Sequence, residues 1–164
     1  MVFIVPVLLN LTQLASGVLT FEGTLPATEL DWGGPDDLVA VGGPLFYHFT
    51  VRKQGFALLL QGTLAVELDC CCARCLKFFR QRLELSPWSA ELALTGEDAL
   101  PVIGEVVDLT PRLREDTVLA LPHHPLCEPE CGGLPSPPQS GGGQSGVKPA
   151  EGESAWSALD QLKF

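Results

Sequence analysis

Positively charged residues are scarce in this chain of 164 residues. Ten lysines and arginines oppose twenty aspartates and glutamates, so the formal net charge is −10, and no lysine or arginine precedes Arg52. A surface this acidic repels phosphate backbones, which disfavours non-specific binding of nucleic acid by the whole surface. The same charge favours a basic protein as a partner.

The sequence also lacks a long uninterrupted apolar run. No window approaches the roughly 18 consecutive apolar residues that indicate a membrane-spanning helix. The first segment, MVFIVPVLLNLTQLASG, has no positively charged start and is interrupted at Asn10, Thr12 and Gln13, which favours a buried strand over a signal peptide. We therefore expect a cytoplasmic protein without membrane contact. In that reducing compartment, paired cysteines favour metal binding over disulfides.

Motifs of common catalytic sites are absent. The chain has no nucleophile elbow, no H-x-E followed by P-C-x-x-C, and no glycine-rich phosphate loop. His123 and His124 closely precede Cys127, but a nucleophilic Cys–His pair depends on a spatial arrangement that sequence does not show. We expect a protein that is not an enzyme.

What is present is a body with strand-like patterning, since 46% of the residues are hydrophobic. PLFYHFTVRKQ and GFALLLQGTLAVELDC predict a hairpin that turns near Gly55, with a bend or bulge at Gly62. In the second strand, alternate apolar residues are expected to line one face: Leu58, Leu60, Leu64, Val66 and Leu68. KFFRQRLELSPWSAELAL predicts further extended structure, broken at Ser86-Pro87.

One later segment has helical spacing. Thr110 is a candidate N-cap, Pro111 suits the first helical position, and Pro122 should stop the helix. The expected fold class is α+β: a mostly antiparallel sheet, open or barrel-like, with one or two packed helices.

The carboxyl-terminal part divides into a linker and a short ordered segment. Residues 1–131 are expected to form the domain, and residues 132–153, rich in Gly, Pro and Ser, a flexible linker. Residues 154–164 are expected to form a short docking helix, in which Trp156, Leu159 and Leu162 repeat at three-residue spacing. This helix would dock either on the chain's own body or on a partner.

Cysteines supply the most chemically specific pattern. The chain has six of them: Cys70, Cys71, Cys72, Cys75, Cys127 and Cys131. Cys72 and Cys75 form a C-x2-C pair, while Cys127 and Cys131 form a C-x3-C pair, and two such pairs can supply the four thiolates of a structural Zn²⁺ site. Pairing Cys71 with Cys75 would also give C-x3-C. Buried thiols and a redox or disulfide role remain the alternatives.

A second candidate site is basic. Arg74, Lys77, Arg80 and Arg82 follow the first cysteines directly and form the densest basic run of the chain. They are either one solvated face of a strand or a local patch for RNA or a carboxylate-rich partner.

Taken together, these motifs resemble the YceD family, the large ribosomal RNA subunit accumulation proteins of bacteria and plastids. GTLAVELDCCCARCL is similar to a family strand ending in C-x-R-C-L, with a two-residue extension before Cys72. Asp108-Leu109, Glu115 and LALP, then CEPECGGLP and SAWSALDQL, match further family motifs in the same order. The chain departs from the family at Pro135, where full-cysteine members have their last cysteine. Some members lack other cysteines too, so metal binding is optional in the family.

The resemblance implies a function. It predicts a non-enzymatic factor that supports synthesis, processing or stability of large-subunit (23S) ribosomal RNA. The expected partner is a basic large-subunit ribosomal protein or a pre-ribosomal particle. The alternative is a zinc-ribbon-like module that binds RNA directly.

Overall fold

A computed structural model describes residues 6–15, 17–30, 32, 37–97 and 99–135. Within these ranges a single 3-10 turn spans Ala27–Glu29. The same ranges contain eight strands and two helices, which are in chain order β1 Leu8–Asn10, α1 Leu11–Leu14, β2 Leu19–Leu25, β3 Val39–Val41, β4 Leu45–Gln54, β5 Ala57–Cys71, β6 Phe78–Ala93, β7 Val102–Ile103, β8 Val106–Asp108 and α2 Thr110–Leu119.

The larger of two sheets is built around β5. Strand β4 pairs with its first half and β3 with its last residues along one edge, while β6 pairs along the other edge and β2 extends the sheet beyond β4. All of these pairings are antiparallel, and the sheet curls into a half-barrel. A smaller sheet has the strand order β1-β8-β7. The predicted α+β class with a mostly antiparallel sheet is confirmed.

One face of the larger sheet carries the core. The alternate residues of β5 predicted to share a face are almost completely buried: Leu58, Leu60, Leu64, Val66 and Leu68. Beside them the Phe49 ring stacks on Phe21 and meets the edge of Trp88, with both centroid separations 5.5 Å. The small sheet and α2 pack on this face through Leu9, Val107 and Leu113. Burial of this face, at roughly 25 cal/mol per Å² of apolar surface, is the main stabilising term of the domain.

The hairpin between β4 and β5 forms as predicted, and Gly55 adopts a φ of 61° in its turn. The expected break at Ser86-Pro87 is wrong in form, because β6 runs as one strand from Phe78 to Ala93. The pairing of β5 with β6 instead shifts register between Gly62 and Leu64, where Ser86 and Pro87 lie opposite Thr63 alone. The bulge therefore adjoins the predicted Gly62, but its extra residue belongs to β6. Proline has no N–H to donate, and a bulge is where a strand tolerates that loss.

Helix α2 begins at Thr110 and ends at Leu119, ahead of Pro122. The prediction that Thr110 caps it is wrong. Leu109 occupies the cap position, and the Thr110 hydroxyl instead accepts a hydrogen bond of 2.9 Å from the backbone N–H of Val7. This long-range contact ties α2 to the start of β1.

At the amino-terminal end, strand β1 is shorter than expected, since it spans Leu8–Asn10, and residues 1–5 lie outside the described ranges. Helix α1 was not expected. The Asn10 side chain caps it by accepting a hydrogen bond of 2.9 Å from the backbone N–H of Thr12. The polar residues that interrupt the apolar run are therefore the start signal of a short helix.

None of the described helices is long and apolar enough to cross a membrane. The expected linker begins at Gly132, and its residues from 136 onward lie outside the described part of the chain, as does the expected docking helix. The boundaries 1–131, 132–153 and 154–164 stay predictions.

Candidate metal centre

The first cysteine pair lies in a tight turn at the end of β5. That strand ends at Cys71, and the backbone N–H of Leu76 then donates to the Cys72 carbonyl over 2.9 Å. The N–H of Cys72 donates in turn to the Lys77 carbonyl, also at 2.9 Å, which brings the chain back into β6. Leu76 has a φ of 60°, so it takes the left-handed conformation that usually favours glycine. The turn holds Cys72 and Cys75 on the same side.

The second cysteine pair, Cys127 and Cys131, lies in the loop that follows α2. The N–H of Ala73 donates to the carbonyl of Pro125 over 2.9 Å, and the Arg74 guanidinium donates to the Cys131 carbonyl over 3.0 Å. Within the loop, the N–H of Cys131 donates to the Glu128 carbonyl over 3.1 Å and closes a turn. These contacts fix the loop against the C-x2-C turn.

Together the two turns bring four sulfurs into one cluster. Cys72 Sγ lies 3.7 Å from Cys131 Sγ, and Cys75 Sγ lies 3.6 Å from Cys127 Sγ. All four sulfurs lie within 4.8 Å of one another. A tetrahedral Zn²⁺ with Zn–S bonds of about 2.3 Å requires sulfurs about 3.8 Å apart. The donor set and its spacing therefore fit zinc.

Local electrostatics favour the thiolate form of Cys72 and oppose that of Cys127. Backbone N–H groups of Cys75, Cys127 and Arg74 point at Cys72 Sγ and lower the pKa of that thiol to about 6. Burial and contact with neighbouring thiols raise the pKa of Cys127 to about 12. Four thiolates in one cluster therefore require a cation to compensate their charge.

The other cysteines stand apart from this cluster. Cys70 is 1% exposed and belongs to the core face of β5. Cys71 ends the strand, and its sulfur lies 3.5 Å from the Leu76 carbonyl. Only Cys72, Cys75, Cys127 and Cys131 are grouped as potential ligands among the described residues, so the alternative pairing of Cys71 with Cys75 is not what the structure assembles.

The disulfide and catalytic alternatives gain no support. All six cysteines are free. Sulfur separations of 3.6–3.7 Å are far longer than the roughly 2.05 Å of an S–S bond. His123 and His124 are exposed, and neither belongs to the cysteine group.

Two members of the predicted basic run, Arg80 and Arg82, are paired with carboxylates. Arg80 pairs with Asp69 at 2.8 Å, and Arg82 lies 3.4 Å from both Glu67 and Glu84. These exposed pairs add little stability, but they place a carboxylate beside each guanidinium. Arg74 donates its hydrogen bond to the Cys131 carbonyl in the second cysteine loop. Lys77 is exposed beside it.

Two features of the site escaped sequence reasoning. Arg74 holds the second cysteine loop, a role that its place inside C-x-R-C could have suggested. Phe78, the first residue of β6, is 81% exposed, and no sequence signal separates it from a buried strand residue. Trp156, Leu159 and Leu162, the predicted partner-binding residues, lie outside the described part of the chain.

Comparison with known proteins places this arrangement in a family. The chain is 32% identical over 108 residues to uncharacterized proteins of Mycobacterium bovis and of two strains of Mycobacterium tuberculosis, an alignment covering 60% of this chain and 52% of each relative. The chain thus spans about half the length of these curated relatives. No solved structure matches it. The model of the family described as "Large ribosomal RNA subunit accumulation protein YceD" matches residues 60–163, a range that includes most of β5 and all six cysteines, so the chain belongs to the YceD family.

Proposed function

We propose that this protein is a non-enzymatic assembly factor for the large ribosomal subunit that supports synthesis, processing or stability of its ribosomal RNA. The family match carries this proposal, because the family is described by accumulation of that RNA and by no chemical reaction. The mode of action is contact with a basic ribosomal protein, free or within a pre-ribosomal particle.

The charge distribution supports protein contact over direct RNA contact. The net charge of −10 opposes approach of a phosphate backbone, and Arg80 and Arg82 share their strand face with carboxylates. The same acidic surface attracts a basic ribosomal protein and speeds its association.

The cysteine cluster has a structural role in this proposal. Zn²⁺ bound by Cys72, Cys75, Cys127 and Cys131 supplies the cation that lets all four sulfurs ionise, and it clasps the loop after α2 to the end of β5. Zinc content of protein purified under reducing conditions without added metal should approach about one ion per chain.

A matched pair of variants tests the ligand set. Cys72→Ser should abolish stoichiometric zinc, whereas Cys71→Ser, one residue earlier and outside the cluster, should keep it. Equal zinc content in the two variants would contradict the assignment, and absence of zinc from the wild type would remove the metal from the proposal altogether.

The cellular function is tested by depletion in the source organism. We expect precursors of the large-subunit ribosomal RNA to change in amount and mature large subunits to decline relative to small ones. Expression of the wild-type chain should restore both. Unchanged ribosomal RNA and subunit profiles after complete depletion would overturn the proposed function.

Direct RNA binding is tested separately. The purified chain should show no measurable affinity for large-subunit ribosomal RNA at roughly 100 mM salt. Tight binding that falls steeply with salt, and that is lost on replacing Arg80 and Arg82 with glutamine, would instead establish the RNA-binding alternative.

The terminal segment that contains Trp156, Leu159 and Leu162 keeps its predicted docking role in the proposal. Deleting residues 154–164 should weaken either the folded body or partner binding. If thermal stability and partner affinity both stay the same, the segment has no docking role.

A further inference from the structure

Three exposed apolar side chains lie in or beside the segments that carry the four clustered cysteines. Leu76 is 56% exposed, Phe78 is 81% exposed and Leu134 is 61% exposed. Leu76 directly follows Cys75, and Phe78 pairs in register with Cys71. Leu134 follows Gly133, whose Cβ position would lie 3.8 Å from the Arg74 carbonyl, so it approaches the same turn from the second cysteine loop. Single exposed apolar residues are ordinary, but three beside the two joined cysteine segments are a candidate surface for a partner.

Phe78 also borders two adjoining hollows. One has a volume of about 370 Å³ and is lined by Asp69, Cys70, Phe78, Phe79 and Arg80. The other, of about 140 Å³, shares Asp69, Cys70 and Phe78 and extends to Asp37 and Leu38 beside β3. An apolar side chain of a partner that lies against the Phe78 ring has space here, beside Asp37 and the Asp69–Arg80 ion pair.

The charge around this surface is negative. Glu128 and Glu130 are both exposed within the second cysteine loop. Zn²⁺ bound by four thiolates leaves a net charge of about −2 at the cluster. Arg80 is neutralised by Asp69, whereas Arg74, which donates to the neutral Cys131 carbonyl, and the exposed Lys77 keep their positive charges. Together with the two glutamates and the thiolate-bound Zn²⁺, these groups leave a net charge of about −2. The partner that complements this surface carries positive charge.

We infer that Leu76, Phe78 and Leu134, with Glu128 and Glu130 at their rim, form the docking surface for a Lys/Arg-rich segment of a large-subunit ribosomal protein that also carries an apolar side chain. The apolar residue lies against Phe78, and the basic residues face the glutamates and the thiolate cluster. This inference rests on the proposed function and locates its partner contact at the cysteine-bearing end of the large sheet.

The test uses the zinc-loaded full chain and individually purified basic proteins of the large ribosomal subunit, with affinity measured by fluorescence anisotropy. The variant Phe78→Ser/Leu134→Ser should weaken binding of the cognate ribosomal protein by about tenfold or more. The control Phe56→Ser/Ile103→Ser changes two side chains that are 77% and 83% exposed, and it should leave the affinity unchanged. Phe56 precedes the first residue of β5, about 45 Å along that strand from the cysteine turn.

A second pair of variants tests the charge. Glu128→Gln/Glu130→Gln should weaken binding several-fold and flatten its dependence on salt, because two carboxylates leave the surface. Glu97→Gln/Glu105→Gln removes the same charge from exposed positions away from the cysteine turns and should have less effect. Zinc content and melting temperature, measured for every variant, show that the site itself is intact.

The outcomes separate the inference from the proposed function. Wild-type binding that survives Phe78→Ser/Leu134→Ser would overturn the location while the assembly role stands. Failure of every basic ribosomal protein to bind the wild type would overturn the inference, and depletion would still decide the assembly role. Ribosomal RNA binding that is lost in Phe78→Ser/Leu134→Ser would assign the surface to RNA and overturn the inference as well.

Discussion

At the scale of single residues, the conformation of Leu76 stands out. Its φ of 60° places a branched, exposed side chain where an L-residue is strained by roughly 1–2 kcal/mol. Leu76→Gly relieves that strain but adds freedom to the unfolded chain. We expect the free energy of unfolding of the zinc-loaded protein, measured by denaturant titration, to rise by up to about 1 kcal/mol.

A neighbouring alanine provides the control. Ala73 lies in the same turn without a positive φ, so Ala73→Gly should lower the free energy of unfolding by about 0.5–1 kcal/mol. If both glycine variants destabilise the protein equally, the left-handed conformation of Leu76 carries no strain.

The four clustered cysteines were predictable from sequence, but their register had to come from the structure. C-x2-C and C-x3-C spacing predicts Cys72, Cys75, Cys127 and Cys131. Spacing does not show where a strand ends, however, and Cys70 continues the buried alternation of β5 as readily as it could begin a metal site. The end of β5 at Cys71 separates the core cysteine Cys70 from the four clustered cysteines.

At the scale of secondary structure, Gly62 controls how closely β4 approaches β5. A Cβ at this position would lie 2.6 Å from the Phe49 Cβ and would also collide with the Phe49 Cα and the His48 carbonyl oxygen. Because these are mainly backbone atoms, they cannot move aside without distorting the sheet. Gly62→Ala should therefore lower the free energy of unfolding by about 3 kcal/mol.

The matched control for this variant is Gly132→Ala. That position has open space around a new Cβ and no positive φ, so the stability of the Gly132→Ala protein should stay the same or rise slightly. Thermal denaturation of the two variants side by side measures the difference, and similar melting temperatures would contradict close strand approach at Gly62.

Helix α2 is attached to the large sheet by a polar contact as well as by its apolar face. The indole N–H of Trp88 donates to Asp116 Oδ2 over 2.8 Å, and Arg112 lies 3.0 Å from Oδ1 of the same carboxylate. Asp116→Ala leaves the largely buried indole N–H without this acceptor, so unfolding free energy should fall by about 1–3 kcal/mol. Glu115→Ala, on the exposed side, should change it by no more than about 0.5 kcal/mol. Equal losses for both would exclude a specific role of the Trp88 contact.

Sequence patterns predicted which strands and helices form better than they predicted where each one begins and ends. Alternating leucines identified the core face of β5, because burial of one sheet face imposes a period of two. The cap of α2 was misassigned because Thr110 has a long-range partner, Val7, that no local pattern contains. Likewise, Ser86-Pro87 was expected to break the extended segment, but β6 accommodates the pair as a bulge opposite Thr63.

At the scale of the whole molecule, stability is unevenly distributed. The large sheet has a continuous buried face, whereas the segment from Leu121 to Pro135 has Pro125 as its single buried residue among those described. Apart from the sulfurs, this segment is fixed to the C-x2-C turn by the two hydrogen bonds of Ala73 and Arg74. Bound metal is therefore expected to determine the order of this segment, with little effect on the sheet.

Removal of the metal tests this division. Treatment of the full chain with a strong chelator under reducing conditions should speed hydrogen exchange of the Ala73 and Cys131 amides by at least about tenfold, because their acceptors lie in or beside the released loop. Amides in the centre of β5, such as those of Leu60 and Leu64, should keep their protection because their strand is paired on both sides. Adding Zn²⁺ back should restore slow exchange at Ala73 and Cys131. If the exchange rates of these two amides do not change on adding the chelator, backbone contacts alone hold the loop. Loss of protection throughout β5 would show instead that the metal supports the entire domain.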